Sequence, residues 1–178
     1  MPIEALELVK TFNETHVNLV AYMCAASSFV MGPKGNDELC QKLSEITGGL
    51  PCVTATTAMV DGLKAVGAKR VAVLSPHPPE IAEKLKEYLE ESGFEIPCLV
   101  GLGLDIPQIN NTSPGDIYRH VRSMDLSNAD AIFIAATNFR AIDVIEAIEA
   151  DIGLPVVSSN QVVMWTALRK LGIADKPE

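Results

Sequence analysis

The sequence lacks long apolar runs and clusters of basic residues, and each absence excludes a class of protein. Its apolar stretches have the length of strands, whereas a membrane-spanning helix needs roughly 20 apolar residues in a row. The 14 basic residues among 178 are scattered along the chain, and the formal net charge is −9. Nucleic acid binding requires a concentrated basic surface that neutralises phosphates. We therefore expect neither a membrane nor a nucleic acid as a partner.

The residue patterns of common metal and cofactor sites are also missing. The cysteines and histidines are dispersed: Cys24, Cys40, Cys52 and Cys98, with His16, His77 and His120. Because no CxxC pair occurs, the spacing argues against a structural zinc site. The GLGL at 101–104 lacks the third glycine and the helix start of a dinucleotide-binding motif, and there is no P-loop. The sequence therefore supports neither a structural zinc site nor dinucleotide binding.

The first ten residues, MPIEALELVK, do not resemble a secretion signal, because Glu4 and Glu7 stand where such a signal would be basic and then apolar. We therefore expect a soluble, cytoplasmic protein. In that reducing compartment disulfides are disfavoured, and each thiol is first expected to pack as a small apolar side chain. The negative net charge does not exclude an anionic ligand, because backbone N–H groups and hydroxyls can hold a small carboxylate.

Apolar runs alternate with segments of helical period along the whole chain, which is the pattern of parallel strands joined by crossover helices. Strands are predicted near residues 17–23, 51–54, 70–75, 97–102, 131–136 and 155–158. Helices are predicted near residues 3–13, 36–47, 56–67, 79–92, 115–124, 140–151 and 160–171. Right-handed crossovers then give an α/β fold with three layers, α/β/α, and parallel sheets.

Two segments of the chain echo each other, VNLVAYMCAASS and ADAIFIAATNF, which indicates two pseudosymmetric lobes. Residues 69–160 hold four predicted strands, enough for a second lobe with a parallel sheet covered on both faces. Residues 1–68 hold only two, and the end of the chain, 161–178, is expected to return to this shortened first lobe. Because a two-stranded parallel sheet is small and open at its edges, we predict a homo-oligomer or a partner chain that completes the lobe.

Cys24 is the first candidate for chemistry. It follows the apolar run VNLVAYM, so its thiol is expected at the carboxyl end of a strand, where parallel α/β sheets bind ligands. Ser27 and Ser28 follow it and supply hydroxyls. A thiol in that place can act as a nucleophile or a proton carrier. The alternative is a half-buried residue that closes the top of the strand.

Polar side chains follow three other predicted strands. Thr137 and Asn138 come after IFIAA and can bind a carboxylate or an oxyanion, or can cap a helix instead. His77 follows RVAVLSP and can donate a proton, or can be a solvated turn residue. Ser159 and Asn160 follow PVVS and can contact a substrate, although a helix N-cap is the first expectation for this segment.

Three segments together carry a resemblance: AYMCAASSFVMG, GLPCVTATTAMVDGLKAVGAKRVAVLSPH and DAIFIAATNFRAIDVIEAIEADIGLPVVSSNQVVMW. In order and spacing they resemble the maleate isomerase and arylmalonate decarboxylase branch of the Asp/Glu racemase superfamily, over roughly residues 15–172. The resemblance implies two pseudosymmetric lobes with a pocket between them and no cofactor. It also implies chemistry on a small carboxylate by cysteines that face each other across that pocket.

The sequence departs from this family pattern at several positions. Cys24 matches the cysteine of the first lobe, but Ala136 occupies the place of the second one. Ala25 and Ala26 replace a threonine and a serine that bind carboxylate, and His77 stands where a tyrosine is common. Relatives also begin with a further segment that includes two strands of the first lobe, so the first lobe is expected to be shortened at its N-terminus.

These observations predict a protein similar to maleate isomerases and racemases that acts on a small carboxylate or dicarboxylate through a single cysteine, Cys24. His77 is expected to assist in catalysis. The predicted ligand contacts are Ser27, Ser28, Thr137, Asn138, Ser159 and Asn160. If the protein is active, it is a cofactor-independent isomerase, racemase or decarboxylase-like lyase. The alternative is a non-catalytic protein that keeps the fold as a ligand-binding or assembly module, which the alanines at 25, 26 and 136 favour.

Overall fold

Six parallel strands form two sheets in the computed structural model, which describes residues 3–14 and 16–174. The strands are β1 (Val20–Tyr22), β2 (Cys52–Thr54), β3 (Arg70–Ser75), β4 (Glu95–Gly101), β5 (Ala131–Ile134) and β6 (Val156–Ser158). β1 pairs with β2, and the larger sheet has the order β4-β3-β5-β6. All six predicted strands are therefore confirmed, as is the α/β fold with parallel sheets.

Helices connect successive strands and cover the sheets. They are α1 (Ile3–Leu8), α2 (Ala25–Phe29), α3 (Gly32–Ile46), α4 (Ala55–Ala65), α5 (Pro79–Glu91), α6 (Ile106–Asn111), α7 (Pro114–Arg122), α8 (Ile145–Ile152) and α9 (Ser159–Lys170), with 3-10 turns at Val9–Glu14 and Ile142–Val144. The helix predicted at 3–13 is thus α1 followed by a 3-10 turn. No helix within the described ranges is long and apolar enough to cross a bilayer.

The larger sheet is buried on both faces, as a parallel sheet with crossover helices requires. Val73 and Phe133 face a cluster that also contains Met59 of α4 and Leu85 of α5. Alternate residues such as Ile132 face a second cluster, which is completed by apolar residues of α7 and α8. Full burial of each large apolar side chain contributes about 1.5–3 kcal/mol, so the two clusters stabilise the larger sheet from both faces.

The two sheets share one of these clusters. Val53 of β2 is fully buried in the same cluster as Val73 of β3. At the other end of the first sheet, Lys170 of α9 donates a hydrogen bond from Nζ to the carbonyl oxygen of Cys52, 2.9 Å away. The end of α9 therefore contacts β2, while the division of the chain into lobes at 68–69 stays a prediction.

Two short helices are not predicted by the sequence pattern. α6 is held by a capping box, in which the Asp105 carboxylate accepts from the Gln108 N–H at 2.8 Å and the Gln108 amide oxygen accepts from the Asp105 N–H at 2.9 Å. That D-x-x-Q signature is readable in the sequence. α2 has only five residues, AASSF, which is too short to show a period.

A glycine sets the distance between α4 and α9. A Cβ at Gly62 would lie 2.2 Å from Cγ1 of Val162, so the two helices approach more closely than any larger residue allows. Gly115 of α7 offers a contrast, because the nearest atom to a Cβ there is a terminal nitrogen of Arg119, 3.6 Å away. Alanine substitutions at the two positions therefore distinguish the effect of close helix packing from the effect of the low helix propensity of glycine.

Gly62→Ala is expected to destabilise the protein. Overpacking against Val162 costs about 1–3 kcal/mol, which exceeds the gain of up to about 1 kcal/mol from helix propensity. Gly115→Ala, the matched control, is expected to be neutral or slightly stabilising. Urea unfolding measures both free energies. A Gly62→Ala protein that is as stable as the Gly115→Ala protein contradicts the close packing, whereas partial rescue by Val162→Ala supports it.

Candidate active site

A hydrogen bond joins the carboxyl ends of strands from the two sheets. The hydroxyl of Thr137, just beyond β5, donates to the carbonyl oxygen of Met23, just beyond β1, at 2.9 Å. Asn160, at the start of α9, donates from Nδ2 to the carbonyl oxygen of Thr137 at 2.8 Å. Because Cys24 follows Met23 and Ala136 precedes Thr137, the structure brings the Cys24 and Ala136 segments together.

Cys24 is exposed and occupies the N-cap position of α2. Its backbone carbonyl accepts hydrogen bonds from the hydroxyls of Ser27, at 3.1 Å, and Ser28, at 3.3 Å. The thiol is not part of any of the buried apolar clusters. The structure therefore does not show the half-buried packing residue that was the alternative expectation, and the sulfur is accessible to a ligand.

Tyr22 belongs to the same site and is missing from the sequence prediction. Its phenol oxygen lies 2.5 Å from the Ser27 hydroxyl. Burial raises the pKa of Tyr22, and the neighbouring Cys24 raises it further, while the hydrogen bond with Ser27 lowers it. A signal was available, because Tyr22 ends the strand that leads to Cys24 and stands only two positions before it.

Ser28 and Ser159 lie in the interior. Ser28 is fully buried, and its hydroxyl donates to the Ala25 carbonyl at 2.9 Å and contacts the Thr56 hydroxyl. Ser159 is 2% exposed at the first turn of α9, after the N-cap Ser158. Substrate contact by these two serines stays a prediction, and in this structure they pack the base of the site.

A buried polar network supports the base of the site from β2. Asn36 of α3, which is fully buried, accepts from the Thr54 hydroxyl at 2.7 Å and donates from Nδ2 to the Thr57 hydroxyl oxygen at 2.8 Å. Thr54 caps α4 by accepting from the Thr57 N–H at 3.0 Å. Satisfied polar groups in a low-dielectric interior are rigid, because breaking one bond leaves a buried group unpaired.

The turn after β5 presents free backbone donors. Ala136 has φ +76°, a left-handed conformation that is costly for a residue other than glycine. Within the described part of the chain, the N–H groups of Ala136, Thr137 and Asn138 donate to no other residue. The Asn138 side chain is held by a bond from Nδ2 to Oδ1 of Asn110, at 2.8 Å. Successive free N–H groups can bind a carboxylate or an oxyanion.

This turn differs from the expectation in two ways. The predicted strand at 131–136 ends at Ile134, because the φ of Ala136 takes the chain out of the ladder. The expected alternative, a helix N-cap at Thr137 or Asn138, is also not seen, since the next helical turn has Ala141 at its N-cap. Instead, the Thr137 hydroxyl donates its hydrogen bond to the carbonyl oxygen of Met23, beyond the end of β1.

His77 lies in the turn that leads from β3 to α5. Its N–H donates to the Ser75 hydroxyl at 3.3 Å, and its carbonyl accepts from the Gly103 N–H at 3.1 Å. Burial lowers the pKa of the imidazole from its ordinary value of 6.5. At neutral pH the ring is therefore uncharged, and it is suited to accept a proton or share a hydrogen bond rather than to act as an imidazolium acid.

The two main cavities lie elsewhere. One, of about 520 Å³, is a groove between α4 and α9, and the other, of about 270 Å³, is lined by α2, α3 and α5. Cys24 lines neither of these two cavities. Among residues 3–14 and 16–174 no three His, Cys, Asp or Glu side chains are grouped in a way that could hold a metal ion.

Comparison with known sequences supports the resemblance. The family described as arylmalonate decarboxylase matches residues 4–178. The maleate isomerase of Geobacillus stearothermophilus is 25% identical over 167 residues, which cover 90% of this chain and 66% of that protein. The arylmalonate decarboxylase of Bordetella bronchiseptica is 30% identical over 159 residues, which cover 86% of this chain and 65% of that protein. The chain thus spans about two thirds of the length of these curated relatives.

Solved structures show the same similarity. A cysteine-to-alanine variant of the maleate isomerase from Pseudomonas putida S16, solved with maleate, has a TM-score of 0.92 and 25% identity and covers 96% of this chain and 70% of its own. A mutant of the Nocardia farcinica maleate cis-trans isomerase with a covalently bound succinylcysteine intermediate has a TM-score of 0.92 and 27% identity. It covers 97% of this chain and 73% of its own. The resemblance inferred from the sequence motifs is confirmed.

Acid is expected to destabilise the protein partly through His77. Because burial lowers its pKa in the folded state, the unfolded chain binds the proton first as the pH falls below 6.5. The contribution of His77 to the free energy of unfolding is therefore present above pH 6.5 and is lost as the pH falls towards the lowered pKa. Urea unfolding at pH 7.5 and pH 5.0 should show a smaller loss for His77→Gln than for the parent, with exposed His16→Gln as the control. An equal loss in all three proteins contradicts the burial of the imidazole.

Proposed function

This chain belongs to the arylmalonate decarboxylase family, and on that premise we propose that it isomerises a small cis-dicarboxylate of the maleate type, with Cys24 as the nucleophile and without a cofactor. The observation that carries the proposal is the bond from Thr137 to Met23, because it sets an exposed thiol beside a turn with free N–H donors. Named relatives with this fold are maleate isomerases.

A single thiol favours isomerisation over the other reactions of the group. Racemisation needs a proton carrier on each face of the reacting carbon, and Ala136 stands where the resemblance places the second cysteine. Decarboxylation needs one proton donor at the new carbanion, and the resemblance places that donor in the second lobe, where this chain has Ala136. Isomerisation about a double bond requires only a nucleophile that adds and leaves on the same carbon, together with groups that stabilise the negative charge in between.

The proposed step balances without a second proton carrier. The Cys24 thiol first loses its proton to solvent or to the neutral imidazole of His77. The sulfur then adds to one alkene carbon, and the π electrons move into the carboxylate of the adjacent carbon to give an enediolate. Rotation about the resulting single bond, followed by expulsion of the sulfur, forms the trans isomer and regenerates the thiolate. No proton is added to carbon or removed from it.

The donors around Cys24 suit a dianionic substrate. One carboxylate is proposed to bind the free N–H groups of Ala136, Thr137 and Asn138, where charge accumulates in the enediolate. The other is proposed to bind the hydroxyls of Tyr22 and Ser27 near the sulfur. Asn160 holds the turn after β5 through its bond to the Thr137 carbonyl. Ser28 and Ser159 are buried, and we propose that they become ligand contacts only if the site opens. The comparisons give no support to a non-catalytic role.

We further propose that a second copy of the chain, or a partner chain in the same cytoplasm, pairs with the open edge of β1. Val20 donates its N–H to the Pro51 carbonyl at 2.9 Å, on the β2 side. Because successive N–H groups on a strand point in opposite directions, the exposed Ala21 presents its N–H to the open edge. An unpaired edge of this kind is a template for another strand.

The protein is expected to convert maleate into fumarate, and proton NMR measures the rate of this conversion. Cys24→Ser should lower the rate by a factor on the order of 10³, because the alcohol is a far weaker nucleophile at neutral pH. Cys98→Ser, which changes a half-buried thiol of β4, should leave the rate unchanged. Fumarate formation that survives in the Cys24→Ser protein contradicts the proposal. So does the absence of turnover of maleate, aspartate, glutamate and arylmalonates by correctly folded protein.

Light scattering tests whether a second copy of the chain pairs with the open edge of β1. The protein is expected to have at least twice the mass of one 19.1 kDa chain. Ala21→Pro removes the N–H that faces the open edge without touching the bonds to β2, so it should shift the protein towards the monomer. Ala5→Pro, in α1, is the control for a proline elsewhere in the first lobe. A monomer at every concentration contradicts edge pairing by a second copy.

A further inference from the structure

The groove between α4 and α9, the larger of the two cavities described above, lies apart from the candidate active site. Its volume is about 520 Å³, and none of the residues around Cys24 lines it. Asp61 and Lys64 of α4 and Trp165, Thr166, Arg169 and Lys170 of α9 form its walls. The close approach of the helices at Gly62 and Val162 holds these walls in place.

Three cations meet one carboxylate in this groove, although the whole chain carries a net charge of −9. Elsewhere, seven basic side chains form ion pairs: Lys10, Arg70, Lys84, Lys86, Arg119, Arg122 and Arg140. Among the described residues, no carboxylate lies within 4.0 Å of the charged nitrogens of Lys64, Arg169 or Lys170. With Asp61 as its one carboxylate, the lining of the groove therefore carries a net positive charge.

Backbone carbonyls hold two of these cations in position. Arg169 donates from Nη1 to the carbonyl of Ile173 at 2.5 Å, and its guanidinium carbon lies 5.8 Å from the centre of the Trp165 ring. Lys170 donates to the carbonyl of Cys52 at 2.9 Å. A carbonyl or an indole orients a cation without neutralising it, and both side chains keep further N–H donors. The groove is thus a pre-formed positive site.

The groove also contains an unpartnered hydroxyl. Thr166 is 4% exposed, and its Oγ1 has no hydrogen-bond partner in the part of the chain that the structure describes. A buried hydroxyl without a partner costs about 1–3 kcal/mol. Because this oxygen is itself buried, it is not one of the proposed anion contacts.

We propose that this groove binds a small anion with two or more negative charges, held by Lys64, Arg169 and Lys170. The guanidinium provides a two-pronged contact to phosphate or carboxylate oxygens, and the lysines supply point charges. Phosphorylated and polycarboxylate molecules share this chemistry. The site is distinct from the one at Cys24, and the proposal does not depend on the isomerase activity.

Trp165 is the single tryptophan of the chain and lines the groove, so its fluorescence reports on occupancy directly. Titration with sodium pyrophosphate and, separately, with citrate is expected to give a saturable change, whereas sodium chloride at equal ionic strength gives none. Saturation by pyrophosphate alone identifies the phosphate class, and saturation by citrate alone identifies the polycarboxylate class. Each result supports a site for multivalent anions.

Matched variants distinguish anion binding in the groove from a general effect of the net charge of the protein. Lys64→Gln is expected to weaken binding by about tenfold, which corresponds to about 1.4 kcal/mol. Lys84→Gln removes the same charge from α5, where Lys84 pairs with Glu87, and should leave the affinity unchanged. Cys24→Ser should bind as the parent does, which separates this site from the active site.

Calorimetry on the same proteins covers the case in which binding does not alter the fluorescence. The proposal is overturned if neither method detects pyrophosphate or citrate binding up to about 10 mM, an affinity weaker than about 3 kcal/mol. It is also overturned if Lys64→Gln and Lys84→Gln change the affinity equally, because the anions would then respond to net charge rather than to the groove.

Discussion

The site depends on one hydrogen bond between the two sheets, from the hydroxyl of Thr137 to the carbonyl of Met23. A typical hydrogen bond contributes only about 0.5–1.5 kcal/mol, so its importance lies in position rather than in strength. It connects the residue before Cys24 to the residue after Ala136. The ends of β1 and β5 are thereby brought to one place, with the exposed Cys24 on one side and unpaired backbone N–H groups on the other.

Rigid packing beneath this hydrogen bond keeps its two partners in position. The buried hydroxyls of Ser28 and Thr56 meet under α2, and Asn36 joins Thr54 to Thr57 at the start of α4. Each of these polar groups is satisfied, so moving α2 would leave buried donors or acceptors unpaired. The segment that carries Cys24 therefore rests on a rigid polar layer, and catalysis by positioned donors requires this kind of support.

The two proposed sites use different kinds of donor for an anion. Around Cys24 the donors are mostly uncharged N–H groups and hydroxyls, which can follow charge that moves from an alkene to a carboxylate. In the groove between α4 and α9 the donors are full positive charges without carboxylate partners, which suit an anion whose charge does not change. An acidic chain can hold both, because net charge describes long-range repulsion and solubility while local groups decide binding.

Local sequence determined the six strands, the parallel α/β fold and the placement of Cys24, His77, Thr137 and Asn138 at strand ends, because run length and period act over a few residues. Tertiary structure decided the rest. Thr137 and Met23 are 114 residues apart, so no local pattern reveals their bond. The burial of the expected ligand contacts Ser28 and Ser159 depends on packing from distant elements. The net positive charge of the groove likewise depends on α4 and α9, which are far apart in the sequence.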